Sequence, residues 1–373
     1  MTKQHKIPFF NYPQVYLENR EDFLKIFDEI SSRGAFILQR EVDEFERNLT
    51  KFTGAKFSIG VGNATDGLEI AWMGIGLNQG DEVICSAHTM IATASAIKAA
   101  GGTPIPVDIN DSGLIDCEAI DNAINSRTVG IMPTQLNGRI CEMDKIMEIA
   151  KKNKLFVIED AAQALGATYN GKHAGTFGDA AAISFYPAKT LGCFGDAGAV
   201  ITNNENYFDR MYQLHDHGRN INGEIKSWGR NSRMDNLQAA FLTFKLNKFK
   251  DDLKRRREIA SIYHQKLSDL AELKLPRPPS NSLDYFDTFQ NYEIEAERRD
   301  ELKEYLFSKG ISTLVQWSGK AIHQWDSLGL NFKLPRVEKF FEDCIMIPMN
   351  PFLSNDDIEK ICDNIKSFYK NKS

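Results

Sequence analysis

Between positions 56 and 202 short apolar runs alternate with longer segments whose apolar residues recur at helical spacing. KFSIGV (56–61), DEVIC (81–85), TPIPVD (103–108) and TVGIMP (128–133) read as strands, followed by LFVIED (155–160), AAAISF (180–185) and GAVIT (198–202). The intervening text has helical character at LEIAWMGIGL (68–77), around Met90 to Ala100, at Cys117 to Asn125 and at Met143 to Lys152. Strands that are apolar through their middles, separated by helices, predict an α/β domain with a largely parallel sheet covered on both faces. In such a domain chemistry is expected in loops beyond the C-terminal ends of the strands, where Thr65, Asp160 and the Ser184 to Lys189 segment fall.

The pattern differs on either side of this region. Asn19 to Arg47 suggests short helices around a turn at Gly34, and MDNLQAAFLTFKLNKF (234–249) suggests a long helix joined to the charged run DDLKRRRE (251–258). That run reads as a solvated helical face. LKLPRPPSNS (273–282) is a proline-rich connector, after which FDTFQNYEIE and ERRDELKEYLFSKG open a smaller α+β portion. SNDDIEKICDNIKSFY (354–369) closes the chain as an amphipathic helix with an N-cap at Ser354. The expected division is therefore a large domain over 1–240 and a linking helix with a small domain over 241–373.

Composition narrows the function classes. A chain of 373 residues can bury a full core. Its 45 basic and 51 acidic side chains leave a formal charge of −6, which argues against a general nucleic-acid binder. No apolar run reaches transmembrane length, and the opening MTKQHKIPFFNYPQ lacks the apolar core of a signal peptide, so no membrane insertion and a cytoplasmic location are expected. The six cysteines form no CxxC pair and the seven histidines no HExxH, so the expected metal is none.

Two charged residues stand in mostly apolar, small-residue text. Asp160 closes a strand-like run, and Lys189 lies 29 positions on, just after SFYP. Read locally, Lys189 is either a surface lysine or an amine presented into a cleft by the glycine-rich segment that follows. Asp160 is either a helix cap or a carboxylate facing a ligand, and Gln163 either its capping partner or a further contact. Together the amine and the acid meet the needs of pyridoxal 5'-phosphate, which requires a lysine to hold it and an acid to keep its ring nitrogen protonated. GNATDG (62–67), between a strand and a helix, adds a plausible phosphate cradle.

EDAAQALGA, SFYPAKTLGCFGDAGAV, HDHGR and GRNSRMDNLQAA occur in this order. With them the chain resembles, over almost its full length, the fold-type I pyridoxal phosphate aminotransferases of the DegT/StrS kind, which act on keto sugars attached to nucleotides. The resemblance implies an aspartate-aminotransferase-like fold: a large, mostly parallel-sheet α/β domain with a smaller C-terminal α+β domain. It implies that Lys189 binds the cofactor covalently, that Asp160 partners the pyridine nitrogen and that Gln163 contacts the ring oxygen. Ala64, Thr65 and Ser184 would bind the phosphate, with Asn231 reaching it from the neighbouring subunit of a homodimer with composite sites.

One position departs from the resembled pattern. Members commonly place an aromatic ring over the pyridine face after a threonine, whereas Thr89 is followed by Met90. Met90 covers the ring by dispersion in one reading, and His88 does so in the other; loop hydrogen bonding is the alternative for His88. His217 and Arg219 form either a polar hinge or part of substrate recognition. VQWSGKAIHQW (315–325) resembles a substrate-edge segment, with Trp317, Lys320 and His323 as candidate contacts and Trp317 alternatively in the small-domain core.

The resemblance implies L-glutamate as amino donor. The NSRMDNLQAA form and the histidine after GKAI lean toward a dTDP-linked 3-keto-6-deoxyhexose, the product being a deoxyamino sugar of the kind built into surface polysaccharide. A C4-specific transaminase on a GDP-, UDP- or dTDP-linked 4-keto sugar is the alternative. A noncatalytic regulatory protein on the same scaffold is another. A related sugar dehydratase would replace the lysine by histidine, opposite to Lys189.

Overall fold

The structure is a computed structural model that describes residues 7–280, 282 and 284–370. The first six residues, part of the segment read as lacking a leader, and position 281 of the expected connector lie outside the described residues. The chain opens with three helices, α1 (Tyr12–Leu17), α2 (Arg20–Arg33) and α3 (Arg40–Thr53). Gly34, at φ 63°, ends α2 in the left-handed conformation that glycine adopts without a Cβ penalty.

The expected alternation follows. It runs β1 (Phe57–Val61), α4 (Ala64–Ile75), β2 (Glu82–Ser86), α5 (Ile91–Ala99), β3 (Thr103–Val107), α6 (Cys117–Ala123), β4 (Thr128–Met132), α7 (Met143–Asn153) and β5 (Phe156–Asp160). Two short strands, β6 (Thr168–Tyr169) and β7 (Lys172–His173), precede β8 (Ala180–Ser184), β9 (Gly198–Thr202) and α8 (Glu205–His215). The large sheet has seven strands in the order β1-β9-β8-β5-β4-β2-β3. All neighbours pair parallel except β9, which runs antiparallel to both β1 and β8. No helix lies between β8 and β9, and a parallel return normally requires such a crossover, so the strand comes back antiparallel.

Apolar faces of α4, α5 and α8 cover one side of this sheet, where Trp72 is fully buried. Gly130 of β4 makes room for that indole, since a Cβ there would come within 2.4 Å of the Trp72 ring. Phe45, Leu49 and Leu242 belong to a second cluster with Ala181, Ile183 and Ile201 of β8 and β9.

The expected helix over 234–249 is two helices, α9 (Asn236–Leu246) and α10 (Phe249–Leu267). They separate because each packs on different partners, α9 against α2 and α3 and α10 against the final helix α13 (Asn355–Lys370). Phe249 and Leu253 join the core of β8 and β9, while Ile259, Tyr263 and Leu267 enter a separate one. The expected division at 240/241 falls inside α9.

The reading of DDLKRRRE as a solvated face is corrected in part. Arg256 and Arg257 are buried, and their guanidiniums donate to backbone carbonyls. Arg256 Nη1 reaches Gln290 O at 3.1 Å and Met349 O at 2.9 Å, and Arg257 Nη1 reaches Asp287 O at 2.8 Å. These bonds offset the desolvation of the charge, which pushes Arg256 down to about 10.

The C-terminal region contains β10 (Leu273–Lys274), β11 (Tyr285–Phe286), β12 (Tyr292–Ala296), α11 (Arg299–Ser308), α12 (Pro335–Asp343) and β13 (Cys344–Ile347). β10, β12 and β13 form an antiparallel sheet. Ser354 caps α13 as expected, its Oγ accepting the Asp357 N–H at 3.1 Å while Asp357 Oδ2 accepts from Ser354 N and Oγ. The architecture is that of the aspartate-aminotransferase-like fold type I, with a large mixed but mostly parallel sheet and a smaller α+β domain. Among the described residues no helix is long and apolar enough to cross a membrane.

Candidate active site

The last two residues of β5 are both acidic, and strand alternation sends them to opposite faces. Glu159 turns into the protein and accepts four hydrogen bonds, from the amides of Gly175 (2.8 Å), Phe177 (2.7 Å) and Gly178 (2.9 Å) and from Gln135 Nε2 (2.8 Å). It holds the 175–178 loop and is spent there. Asp160 turns the other way. Its Oδ2 accepts from Thr93 Oγ1 at 2.6 Å and its Oδ1 from the Ala162 amide at 3.2 Å. Behind Thr93 the hydroxyls of Thr89 and Thr134 continue the chain at 2.6 and 2.8 Å. Burial raises the Asp160 carboxyl above its usual range, opposed by the Thr93 and Ala162 bonds and by the charge of Lys189.

Lys189 stands in the turn after β8, its N–H donating to Tyr186 O at 2.8 Å. Burial pushes its ammonium down to about 8, against the pull of Asp160. Both residues line one cavity of about 330 Å³. Ala64, Thr65, Met90, Gln163 and Ser184 share its wall.

The cradle end of the cavity follows from the start of α4. Asn63 Oδ1 caps the Asp66 N–H at 2.9 Å, leaving the amides of Ala64 and Thr65 without intrahelical acceptors. Gly198 lets β9 pass directly beneath them, because a Cβ there would lie 2.6 Å from Ala64 N. Two first-turn amides and the hydroxyls of Thr65 and Ser184 make a donor set suited to a phosphate dianion. A carboxylate and a depressed lysine on the same cavity suit a cationic ring nitrogen and an aldehyde. The residues present therefore fit pyridoxal phosphate.

Met90 lies on the cavity wall at the start of α5, its Sδ 3.0 Å from the Ala92 N–H. His88 does not join it. The ring is buried among Phe340, Phe341 and Trp317, with Nδ1 2.8 Å from Gly113 O and Nε2 3.6 Å from a Glu293 oxygen. The ring-cover reading of His88 is thus corrected to loop hydrogen bonding, and burial lowers its pKa. Gln163 reaches the cavity from a run of turns rather than a helix, which removes its capping alternative. Its Oε1 accepts the Asn137 N–H at 2.9 Å.

The remaining candidates lie outside this cavity. Trp317 and Lys320 line a neighbouring one of about 350 Å³ that shares Thr89, where the Lys320 ammonium sits 4.9 Å from the Trp325 ring centre. His323 is buried and bonded through Nε2 to Glu338 Oε1 at 3.0 Å, a structural tie to α12 in place of the expected substrate edge. His217 is exposed, and its backbone N–H donates to Arg230 O at 2.7 Å. Asp216 holds the adjoining loop through Arg219 (3.4 Å) and Arg233 (3.1 Å). Asn231 is exposed and does not line its own chain's cavity.

Sequence reasoning passed over Thr93, Thr134 and Asn137. Thr89 and Thr93 stand four positions apart, but Thr89 precedes α5, so no helical face marked the pair. The side-chain partners of Asn137 come from more than 150 positions away and left no local trace.

Comparison with known proteins agrees with this geometry. Residues 18–366 match the DegT/DnrJ/EryC1/StrS aminotransferase family. A pleiotropic regulatory protein of Geobacillus stearothermophilus is 34% identical over 98% of this chain and 99% of its own. The dTDP-3-amino-3,6-dideoxy-alpha-D-galactopyranose transaminase of Aneurinibacillus thermoaerophilus is 36% identical over 97% of this chain and 99% of its own. The solved structure of NtdA from Bacillus subtilis, with bound cofactor PMP, has a TM-score of 0.90 at 30% identity, covering 98% of this chain and 86% of that one. With the family match spanning nearly the whole chain and the site residues assembled, this protein belongs to the DegT/DnrJ/EryC1/StrS family of pyridoxal phosphate-dependent aminotransferases.

Proposed function

We propose that this chain moves an amino group from L-glutamate to a nucleotide-linked keto-6-deoxyhexose, with dTDP as carrier and C3 as the ketone. The observation that carries an aminotransferase reading is the convergence of Asp160, Lys189 and the first turn of α4 on one cavity. The family's cofactor, pyridoxal phosphate, supplies an aldehyde that captures amines and a ring that takes up electrons from the carbon beside the captured nitrogen.

The chain's own residues do the rest. The amides of Ala64 and Thr65 and the hydroxyls of Thr65 and Ser184 bind the phosphate. Asp160, held by Thr93 and Ala162, keeps a proton on the ring nitrogen. Lys189, depressed to about 8, has a neutral fraction near physiological pH, so it would serve as nucleophile toward the aldehyde and, once displaced, as the base that takes the donor's α-proton. Met90 shields one ring face from water, and Gln163 faces the ring oxygen.

The C3 assignment is supported by the NSRMDNLQAA block and by the Aneurinibacillus relative, which is named for a dTDP-linked 3-amino sugar. Trp317, Lys320 and Trp325 in the neighbouring cavity offer a stacking surface and a cation for the nucleotide carrier. The name of the Geobacillus relative favours a regulatory role on this scaffold. Retention of both Lys189 and Asp160 favours chemistry.

A second copy completes the site in this reading. Asn231 sits beside a loop that presents Ile221, Ile225 and Trp228 at 78%, 71% and 95% exposure, an apolar tip suited to burial against a partner chain. The substrate assignment is tested by offering C3- and C4-keto forms of dTDP, GDP and UDP sugars to the chain loaded with pyridoxamine phosphate. Loss of the pyridoxamine absorbance with dTDP-3-keto sugar, and nitrogen located at C3 by NMR, is the expected result. Nitrogen at C4 would contradict the regiochemistry, and inactivity toward every sugar while glutamate still aminates the cofactor would contradict the substrate class.

A further inference from the structure

Gln163 faces the cofactor cavity in an orientation dictated by its other end. The Asn137 N–H, 2.9 Å from Oε1, can only donate, so this contact fixes which end of the Gln163 amide is oxygen and leaves the Nε2 donor for the cavity. Asn137 itself sits at φ 58°, a left-handed backbone that asparagine tolerates better than most residues.

Its side chain is gripped from the C-terminal domain. Nδ2 donates to Glu293 Oε2 at 2.6 Å, and Oδ1 accepts from Asn291 Nδ2 at 2.8 Å and Gln316 Nε2 at 3.0 Å. Gln316 Nε2 also lies 3.0 Å from Glu293 Oε1, closing the ring of contacts. All four residues are buried, so water does not compete for these bonds. The next residue presses the loop onto the same domain, because a Cβ on Gly138 would lie 2.5 Å from Thr288 Oγ1 and 2.6 Å from Phe289 N.

We propose that Asn137 is a positioning residue, which transmits the grip of Glu293 and Gln316 to Gln163 and so holds an amide donor against the ring oxygen of the bound cofactor. This rests on the pyridoxal phosphate reading of the cavity. Gln316 directly precedes Trp317 of the neighbouring cavity, so one asparagine ties the walls of both. A donor at the ring oxygen favours its ionised form, and its loss or misplacement raises the pH at which the absorbance of bound cofactor changes.

The test is an absorbance titration of the chain loaded with pyridoxal phosphate, comparing the unmodified protein with Asn137→Gly, in which glycine takes the positive φ freely. The midpoint is expected to rise by about one pH unit, as it does in Gln163→Leu, and the two changes together are expected to do no more than either alone. Absence of a shift in Asn137→Gly overturns the proposal, and so does an undiminished further shift in the Gln163→Leu background. If Asn137→Gly fails to fold, Gln316→Ala replaces it, with a shift in the same direction that Gln163→Leu erases; no shift, or one that survives, overturns it. An unmodified chain that gains no visible absorbance with pyridoxal phosphate would instead overturn the cofactor reading on which the proposal stands.

Discussion

Burial acts on the two charged residues of the cavity in opposite senses, lifting the Asp160 carboxyl and lowering the Lys189 ammonium to about 8. Both shifts favour neutral forms, which suits a nucleophilic amine but not a carboxylate that must face a cation. Thr93 works against the second effect. Replacing it by valine keeps the shape and removes the 2.6 Å bond, and turnover is expected to fall about tenfold with KM little changed, read by steady-state kinetics. An unchanged turnover would show that the Ala162 amide alone suffices. For Lys189 the sign is set by its depressed value: the amine is protonated below about 8 and neutral above it. Covalent capture of pyridoxal phosphate by the empty protein should therefore accelerate as pH rises through about 8 and then level off, measured by stopped-flow absorbance. A rate still climbing toward 10.5, the ordinary lysine value, would contradict the burial argument. At this scale the sequence disclosed the pair but left His88 open between ring cover and loop hydrogen bonding, since it is adjacent to Thr89 and Met90 in the chain and only the fold turns it to Gly113 and Phe340.

Elements carry the site through their ends. α4 contributes its unpaired first-turn amides, β5 and β8 their C-terminal residues, and α5 the hydroxyl that braces Asp160. The alternation of strands and helices made these ends legible, because each apolar run stops at a turn rich in small or polar residues. Direction was not legible for β9, whose buried GAVIT reads the same either way; the lack of a helix between it and β8 was the available clue. Nor was the fate of Arg256, whose carbonyl partners lie 34 and 93 positions away. One element contact carries a pH dependence. Glu46 of α3 accepts the Gly60 N–H of edge strand β1 at 2.6 Å, and burial pushes its carboxyl up to about 7. A raised folded-state value means that its stabilising contribution is present below about 4.5 and lost as pH rises through about 7. Glu46→Gln removes that loss, and denaturant unfolding should find the variant more stable than the parent at pH 8, relative to pH 5, by about 2–3 kcal/mol. Equal differences at the two pH values would contradict the buried placement.

Across the whole molecule two cores meet along α10, and a seam of hydrogen bonds from Asn137 to Asn291, Glu293 and Gln316 ties the loop beside the cavity to the C-terminal domain. The large domain was readable because its periodicity is local. The seam was not, since Asn137, Glu293 and Gln316 are brought together only by the finished fold. A composite site predicts that mixing Asn231→Ala with Lys189→Ala, each weak alone, restores activity through heterodimers that hold one intact cavity; no recovery after subunit exchange would contradict the cross-subunit role. The cofactor site itself is put at risk by borohydride reduction of the loaded protein followed by peptide mass mapping. A pyridoxyl group confined to the peptide carrying Lys189, and absent from Lys189→Ala, is the expected result. Label spread over surface lysines, or undiminished in Lys189→Ala, would contradict a cavity built around that residue.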